Sequence, residues 1–182
     1  MNNFKFIFLF FILIQEALGN TIFKDNFENP KKWQFISDQV MGGISSGKVE
    51  FFNENNNLYA RLTGNVSTEN NGGFIQIRRK LKKAILKGAK FIEITAKGNN
   101  QNYFIHLRTS GTLLPWQYYQ ISFKVVNDYK IFKLPINEFK RSSIFLSKQI
   151  NPENITSVGV VAFGRDHSCL LYTSPSPRDE TK

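Results

Sequence analysis

Ten short apolar or alternating runs, separated by Asn- and Gly-rich breaks, point this chain of 182 residues toward stacked β-sheets. The runs cover 21–27, 33–37, 48–52, 58–66, 73–81, 90–98, 102–110, 116–125, 129–134 and 156–164. Period-two alternation separates two faces within the best defined of them, because successive strand side chains point to opposite sides. Ile75 and Ile77 share the core side, as do Ile92, Ile94 and Ala96, then Tyr103, Ile105 and Leu107, then Tyr119, Ile121, Phe123 and Val125. Eighteen Phe and six Tyr suit pleated, half-buried surfaces better than helices. Gly72-Gly73, Gly98-Asn99-Asn100 and Asn127-Asp128 supply residues that tolerate positive φ at turns. Only 151–154 suggests a helical turn, with Asn151 capping and Pro152 at the first helical position. The expectation is an all-β sandwich of single-domain size, without internal repeats.

The faces turned from the core carry Gln76 and Arg78 on one strand, His106 and Arg108 on a second, and Gln120, Ser122 and Lys124 on a third. Two meanings stand open. These residues form the ordinary wet side of an antiparallel sheet, or they assemble a concave ligand surface beside the aromatics Trp116 and Tyr118.

Both ends of the chain carry separate expectations. Residues 1–19 hold one cation, Lys5, then an unbroken Phe/Ile/Leu run from Phe6 to Ile14 and the small-residue pattern Ala17-Leu18-Gly19. That is the anatomy of a signal peptide cleaved after Gly19, which places the protein in the periplasm or outside the cell and limits membrane contact to export. Residues 20–167 then form the domain. Residues 168–182, from Ser168 through Cys169 to the Ser-Pro-Ser-Pro run, match no strand template and are expected to lie outside the fold.

Twenty-four Lys and Arg against 14 Asp and Glu give a net charge of +10. Arg78, Arg79, Lys80, Lys82, Lys83, Lys87 and Lys90 concentrate part of it. Such a run could meet an anionic partner, but a solubilising face is its commoner meaning. No nucleic-acid module accompanies it, so nucleic acid is not an expected partner.

The strand ending in Ser37 enters a loop, Asp38-Gln-Val-Met41-Gly42-Gly43-Ile-Ser45, after the aromatic Trp33. About thirty residues later comes Asn70-Asn71-Gly72-Gly73-Phe74, followed by Arg78, then Arg108 and Tyr119. This set resembles the signature of the NADH:ubiquinone oxidoreductase (complex I) intermediate-associated protein family over about 27–163. The resemblance implies a galactose-binding-like jelly roll, a fold used mainly to hold sugars or proteins, with a mitochondrial branch that assists complex I assembly. It transfers no catalytic residue. It favours structural duty for most motif positions, since Gly pairs serve turns and a buried Asp commonly ties backbone N–H groups.

Catalysis finds little footing. A nucleophile needs a base beside it, and the two histidines, His106 and His167, stand next to no such motif. Zinc sites want three or four His or Cys ligands at short spacings, and neither a metal nor a cofactor is expected. The leading expectation is an accessory module that binds a protein partner. The alternative is a carbohydrate-binding module in which Trp116 and Tyr118 stack on a sugar while Arg78, His106, Arg108 and Gln120 meet its polar groups. An unrecognised hydrolase ranks third.

Overall fold

A computed structural model describes residues 22–54 and 57–174. Eleven strands form two antiparallel sheets, and no α-helix occurs among the described residues. The first sheet orders its strands β1 (Trp33–Ser37), β4 (Phe74–Lys80), β10 (Ile155–Phe163), β6 (Asn102–Thr109), β7 (Tyr119–Lys124) and β9 (Lys140–Arg141). The second orders β2 (Ser46–Glu54), β3 (Asn57–Val66), β11 (His167–Ser174), β5 (Phe91–Gly98) and β8 (Lys130–Pro135). Sequence neighbours are thus distributed between two layers, as in a jelly roll.

Alternation selects many of the inward residues, and the structure adds Ala60, Leu62, Leu134 and Leu171 to them. Ile75, Ile77, Tyr103, Ile105, Leu107, Tyr119, Phe123 and Val125 from one sheet meet Ala60, Leu62, Ala96, Leu134 and Leu171 from the other, all buried. Ile92, Ile94 and Ile121 pack half-buried against them. Removing this much apolar surface from water is the dominant favourable contribution to folding. The expected helical turn forms as a 3₁₀ turn, Pro152–Asn154, capped by Asn151, whose Oδ1 accepts the Glu153 N–H at 3.0 Å.

Three expectations need correction. Residues 22–27 are irregular rather than a strand: Asp25 accepts the Phe27 N–H and the Trp33 Nε1–H, pairs with Arg79, and turns the chain through positive φ at Phe27. The strand expected over 116–125 begins only at Tyr119, because Trp116–Tyr118 belong to the preceding loop. The largest correction concerns the tail. Residues 167–174 are a full strand between β3 and β5, with Cys169, Leu171 and Thr173 buried on the core side and Ser168, Leu170 and Tyr172 outward. The domain boundary expected at 168 therefore falls inside a strand. Cys169 is a buried thiol whose pKa burial raises to about 12. The expected signal peptide at 1–19 and residues 175–182 lie outside the described residues.

Candidate functional site

Asp38 opens a short 3₁₀ turn at the end of β1 and is fully buried. Its Oδ1 accepts the Ser45 N–H at 2.9 Å, and its Oδ2 accepts the Ser45 hydroxyl, the Gly73 N–H at 2.6 Å and the Phe74 N–H at 3.2 Å. The Ser45 hydroxyl in turn accepts the Ser67 N–H. Burial pushes the Asp38 carboxyl up, yet the bonds from Gly73, Ser45 and Phe74 together hold it below the usual carboxylate value. A Cβ on Gly43 would overlap Asp38 Cγ, and one on Gly72 would meet Asp38 Oδ2. Gly42 and Gly73 instead supply positive φ, of 88° and 123°.

This motif is therefore a clasp between two loops. Asn70 and Asn71 shape it from outside, both exposed at positive φ. Met41 projects into solvent, and Trp33 is held at the far end of β1 by Asp25. The structure brings Asp38, Gly43, Ser45, Gly72, Gly73 and Phe74 together, and their polar groups satisfy one another. No group of three His, Cys, Asp or Glu side chains able to hold a metal occurs among the described residues.

The outward face of the six-stranded sheet is different. Its register places Gln34, Arg78, Gly159, His106, Gln120 and Lys140 in one transverse row. Beside it run Lys80, Ser157 and Arg108, and on the other flank Gln76, Val161, Phe104 and Ser122. The sequence expectation that Arg78, His106, Arg108 and Gln120 share one face is met. The middle of that face is not open, however. The His106 ring stacks on Tyr118 at 4.0 Å and 10°, while Phe163 meets His106, Tyr118 and Phe104 edge-on. Val161, opposite Phe104 in the sheet, is completely buried yet lies outside the main core.

Burial lowers the His106 pKa to about 4, outweighing the attraction of Gln120, so the ring is neutral at pH 7. His106 Nε2 and Gln120 Oε1 are both sealed from solvent without a well-formed hydrogen bond. His106 is better suited to packing than to contact with a ligand.

Arg108 is committed to its own loop. Its guanidinium donates to the carbonyls of Thr112 at 3.1 Å and Leu114 at 3.0 Å, and Gln117 Oε1 accepts the N–H groups of Leu113 and Leu114. The second loop at this end repeats the device: Arg141 donates to the carbonyls of Ile144 and Leu146, and the Ser142 hydroxyl bridges Trp116 O and Tyr118 N. Two arginine-pinned loops thereby present Leu113 (84% exposed), Trp116 (61%), Ile144 (78%) and Phe145 (85%) to solvent. Of this rim the sequence reading identified only Trp116. A Gly111-to-Pro115 turn enclosing two leucines was the available signal, since turns are ordinarily polar.

The Arg78 side chain has no hydrogen-bond or ion-pair partner among the described residues. Burial first, and Arg108 second, push its guanidinium below the ordinary value. It lines a pocket of about 300 Å³ with Lys80, Arg108, Thr109, Thr112, Thr156 and Ser157. Three cations and four hydroxyl-bearing residues form its walls, and no carboxylate does.

Comparisons with known proteins agree with this architecture. Residues 23–169 match the family model described as Complex I intermediate-associated protein 30. Among solved structures, the family 11 carbohydrate-binding module of the cellulosomal cellulase Lic26A-Cel5E of Clostridium thermocellum is similar at a TM-score of 0.64 and 14% identity, covering 83% of this chain and 89% of that one. The Clostridium thermocellum family 11 module in complex with a β-1,3-1,4-mixed-linked tetrasaccharide gives 0.63 and 14%, covering 83% and 90%. At this identity the likeness concerns the fold alone. A search of curated proteins finds no match.

Proposed function

The chain belongs to the Complex I intermediate-associated protein 30 family, and on that premise we propose that it is a non-catalytic accessory module that binds a protein partner. The observation that carries this reading is the rigid apolar rim. Leu113, Trp116, Ile144 and Phe145 are exposed on loops whose backbones are fixed by Arg108, Gln117 and Arg141. Fixing those loops in the free protein removes part of the ordering cost of association, and exposed apolar side chains gathered at one place mark interaction sites. The partner is met outside the cytoplasm, a reading supported by the apolar leader ahead of the domain.

A photo-crosslinking residue at Leu113 or Trp116, in the cells that make the protein, should capture one partner in stoichiometric yield. The purified partner should then bind the wild-type chain but not Leu113→Ser/Trp116→Ser. Failure of that reconstitution defeats the proposal. Intact-mass measurement of secreted material still carrying residues 1–19 would defeat cleavage after Gly19, and confinement of the chain to the cytoplasm would defeat export.

A carbohydrate-binding role is the second reading, favoured by the fold shared with the Clostridium thermocellum modules. Against it, the aromatic rings on the sheet face pack on one another. Retardation of the protein in gels containing mixed-linked glucan, abolished by Trp116→Ala, would promote this reading above the first.

A further inference from the structure

The pocket beside the rim is electrostatically incomplete. Arg78 contributes five donors, none of them engaged among the described residues, and Lys80 adds three more. Arg108 uses Nε and Nη2 on Thr112 and Leu114, which leaves Nη1 uncommitted. The pocket's hydroxyls offer these cations only neutral acceptors: Thr112 Oγ1 donates to Thr109 O and accepts from Arg108 Nε at a long 3.4 Å, and Thr156 Oγ1 donates to Arg108 O. Two guanidinium groups that repel each other in a half-buried site lower their mutual repulsion when an anion enters. A planar carboxylate suits a guanidinium through paired N–H···O bonds.

The same structure indicates what lies next to the anion. Thr112 lines the pocket and directly precedes Leu113 and Leu114, the latter held by Arg108 itself. The surface directly after Thr112 is therefore two leucines, with the exposed Trp116 further along the same loop. Sugar rings are held by flat aromatic faces, and on this sheet those faces are occupied by one another. Aliphatic side chains of a peptide fit leucines without such a requirement.

We propose that the pocket formed by Arg78, Lys80 and Arg108 captures the carboxylate of an Asp or Glu in an extended segment of the partner, with an aliphatic neighbour of that acid resting on Leu113 and Leu114. This rests on the protein-partner reading above and adds the chemistry of the recognised segment.

The test titrates acetyl-Leu-Glu-Leu-amide and acetyl-Leu-Gln-Leu-amide into the full chain, followed by backbone amide NMR. The Glu peptide should shift the amides of Thr112, Leu113, Leu114 and Ser157 saturably, with affinity that falls as salt is raised. The Gln peptide should bind about tenfold more weakly or worse. Arg78→Gln should weaken the Glu peptide by about tenfold with an unchanged melting temperature, and Lys80→Gln serves as a second variant that touches no structural bond. Arg108 is left intact because it holds the loop.

Equal binding of the two peptides, binding of neither, or an Arg78→Gln affinity equal to wild type overturns the proposal. So does a stronger response at the same amides to oligogalacturonate or inorganic phosphate, which reassigns the pocket to an acidic glycan or a phosphate. A partner that crosslinks at Leu113 but is indifferent to Arg78→Gln sinks this proposal alone. Glu-peptide binding with no partner captured at Leu113 or Trp116 sinks the accessory reading alone.

Discussion

The Asp38 clasp and the Arg78 pocket each hold a charged group drawn from water, wholly at Asp38 and only partly at Arg78, and they differ in what surrounds the charge. Every strong acceptor site of Asp38 is filled by a nearby donor, and the two glycines beside it leave room for nothing else. Arg78 faces a cation, hydroxyls and solvent. A charge whose partners are supplied by its own fold stabilises that fold. A charge left without them has its interactions in reserve for another molecule. By this measure the Asp38 and double-glycine part of the signature belongs to the scaffold, whereas Arg78, a position of the same signature, is left for the binding surface proposed above.

Substitution should separate the two regions cleanly. Asp38→Ala leaves the N–H groups of Ser45, Gly73 and Phe74 without an acceptor and should cost roughly 3–5 kcal/mol in urea denaturation. A loss below about 1 kcal/mol would break the contrast. Gly43→Ala, which forces a methyl group into the Asp38 side chain, should cost about 1–3 kcal/mol and leave peptide binding at Arg78 intact in the folded fraction.

Acid should reveal a further, intermediate effect. His106 binds its proton near 4 in the fold against 6.5 ordinarily, so the unfolded chain holds more protons between those values and stability falls as pH drops through that window. The decline should be on the order of 2–3 kcal/mol and should vanish in His106→Gln, as read from melts at several pH values. Asp38 acts lower down: its depressed pKa gives stability that is complete above the unfolded carboxylate value and is lost as pH falls through the folded one.

Smaller changes are expected at the rim. Arg108→Gln removes two charge-assisted bonds to loop carbonyls and should cost about 1–2 kcal/mol, with faster amide exchange at Leu113 and Leu114. Leu113→Ser/Trp116→Ser should stay within about 0.5 kcal/mol of wild type while abolishing partner capture. A large stability loss in that pair would return the rim to the scaffold.

The sandwich was legible because its inward residues alternate over five or more positions, as in Tyr103, Ile105 and Leu107. The final strand was not. Its inward set is only Cys169, Leu171 and Thr173, and the adjacent leucines Leu170 and Leu171 mask the alternation before a Pro-rich run. The shared face of Arg78, Arg108 and Gln120 followed from period two alone. What Arg108 and His106 do there did not, because a hydrogen bond to a loop carbonyl and a ring stacked on Tyr118 depend on how residues 110–118 fold back. Lys80 was read only as charge, since nothing in the local sequence says that Ser157 and Arg108 will lie beside it.

The clasp also ties together parts of the chain that are far apart in sequence. Asp38 joins segments that are separated by the whole β2–β3 hairpin, reaching from Ser45 to Gly73 and Phe74. The bonds to Ser45 are local to the loop, whereas those to Gly73 and Phe74 need β4 brought against β1 across the hairpin. Contacts made after the rate-limiting barrier affect escape from the native basin more than entry to it. If the long-range bonds close after that barrier, the clasp is a latch on the folded state, and Asp38→Ala should speed unfolding far more than it slows refolding in stopped-flow measurements.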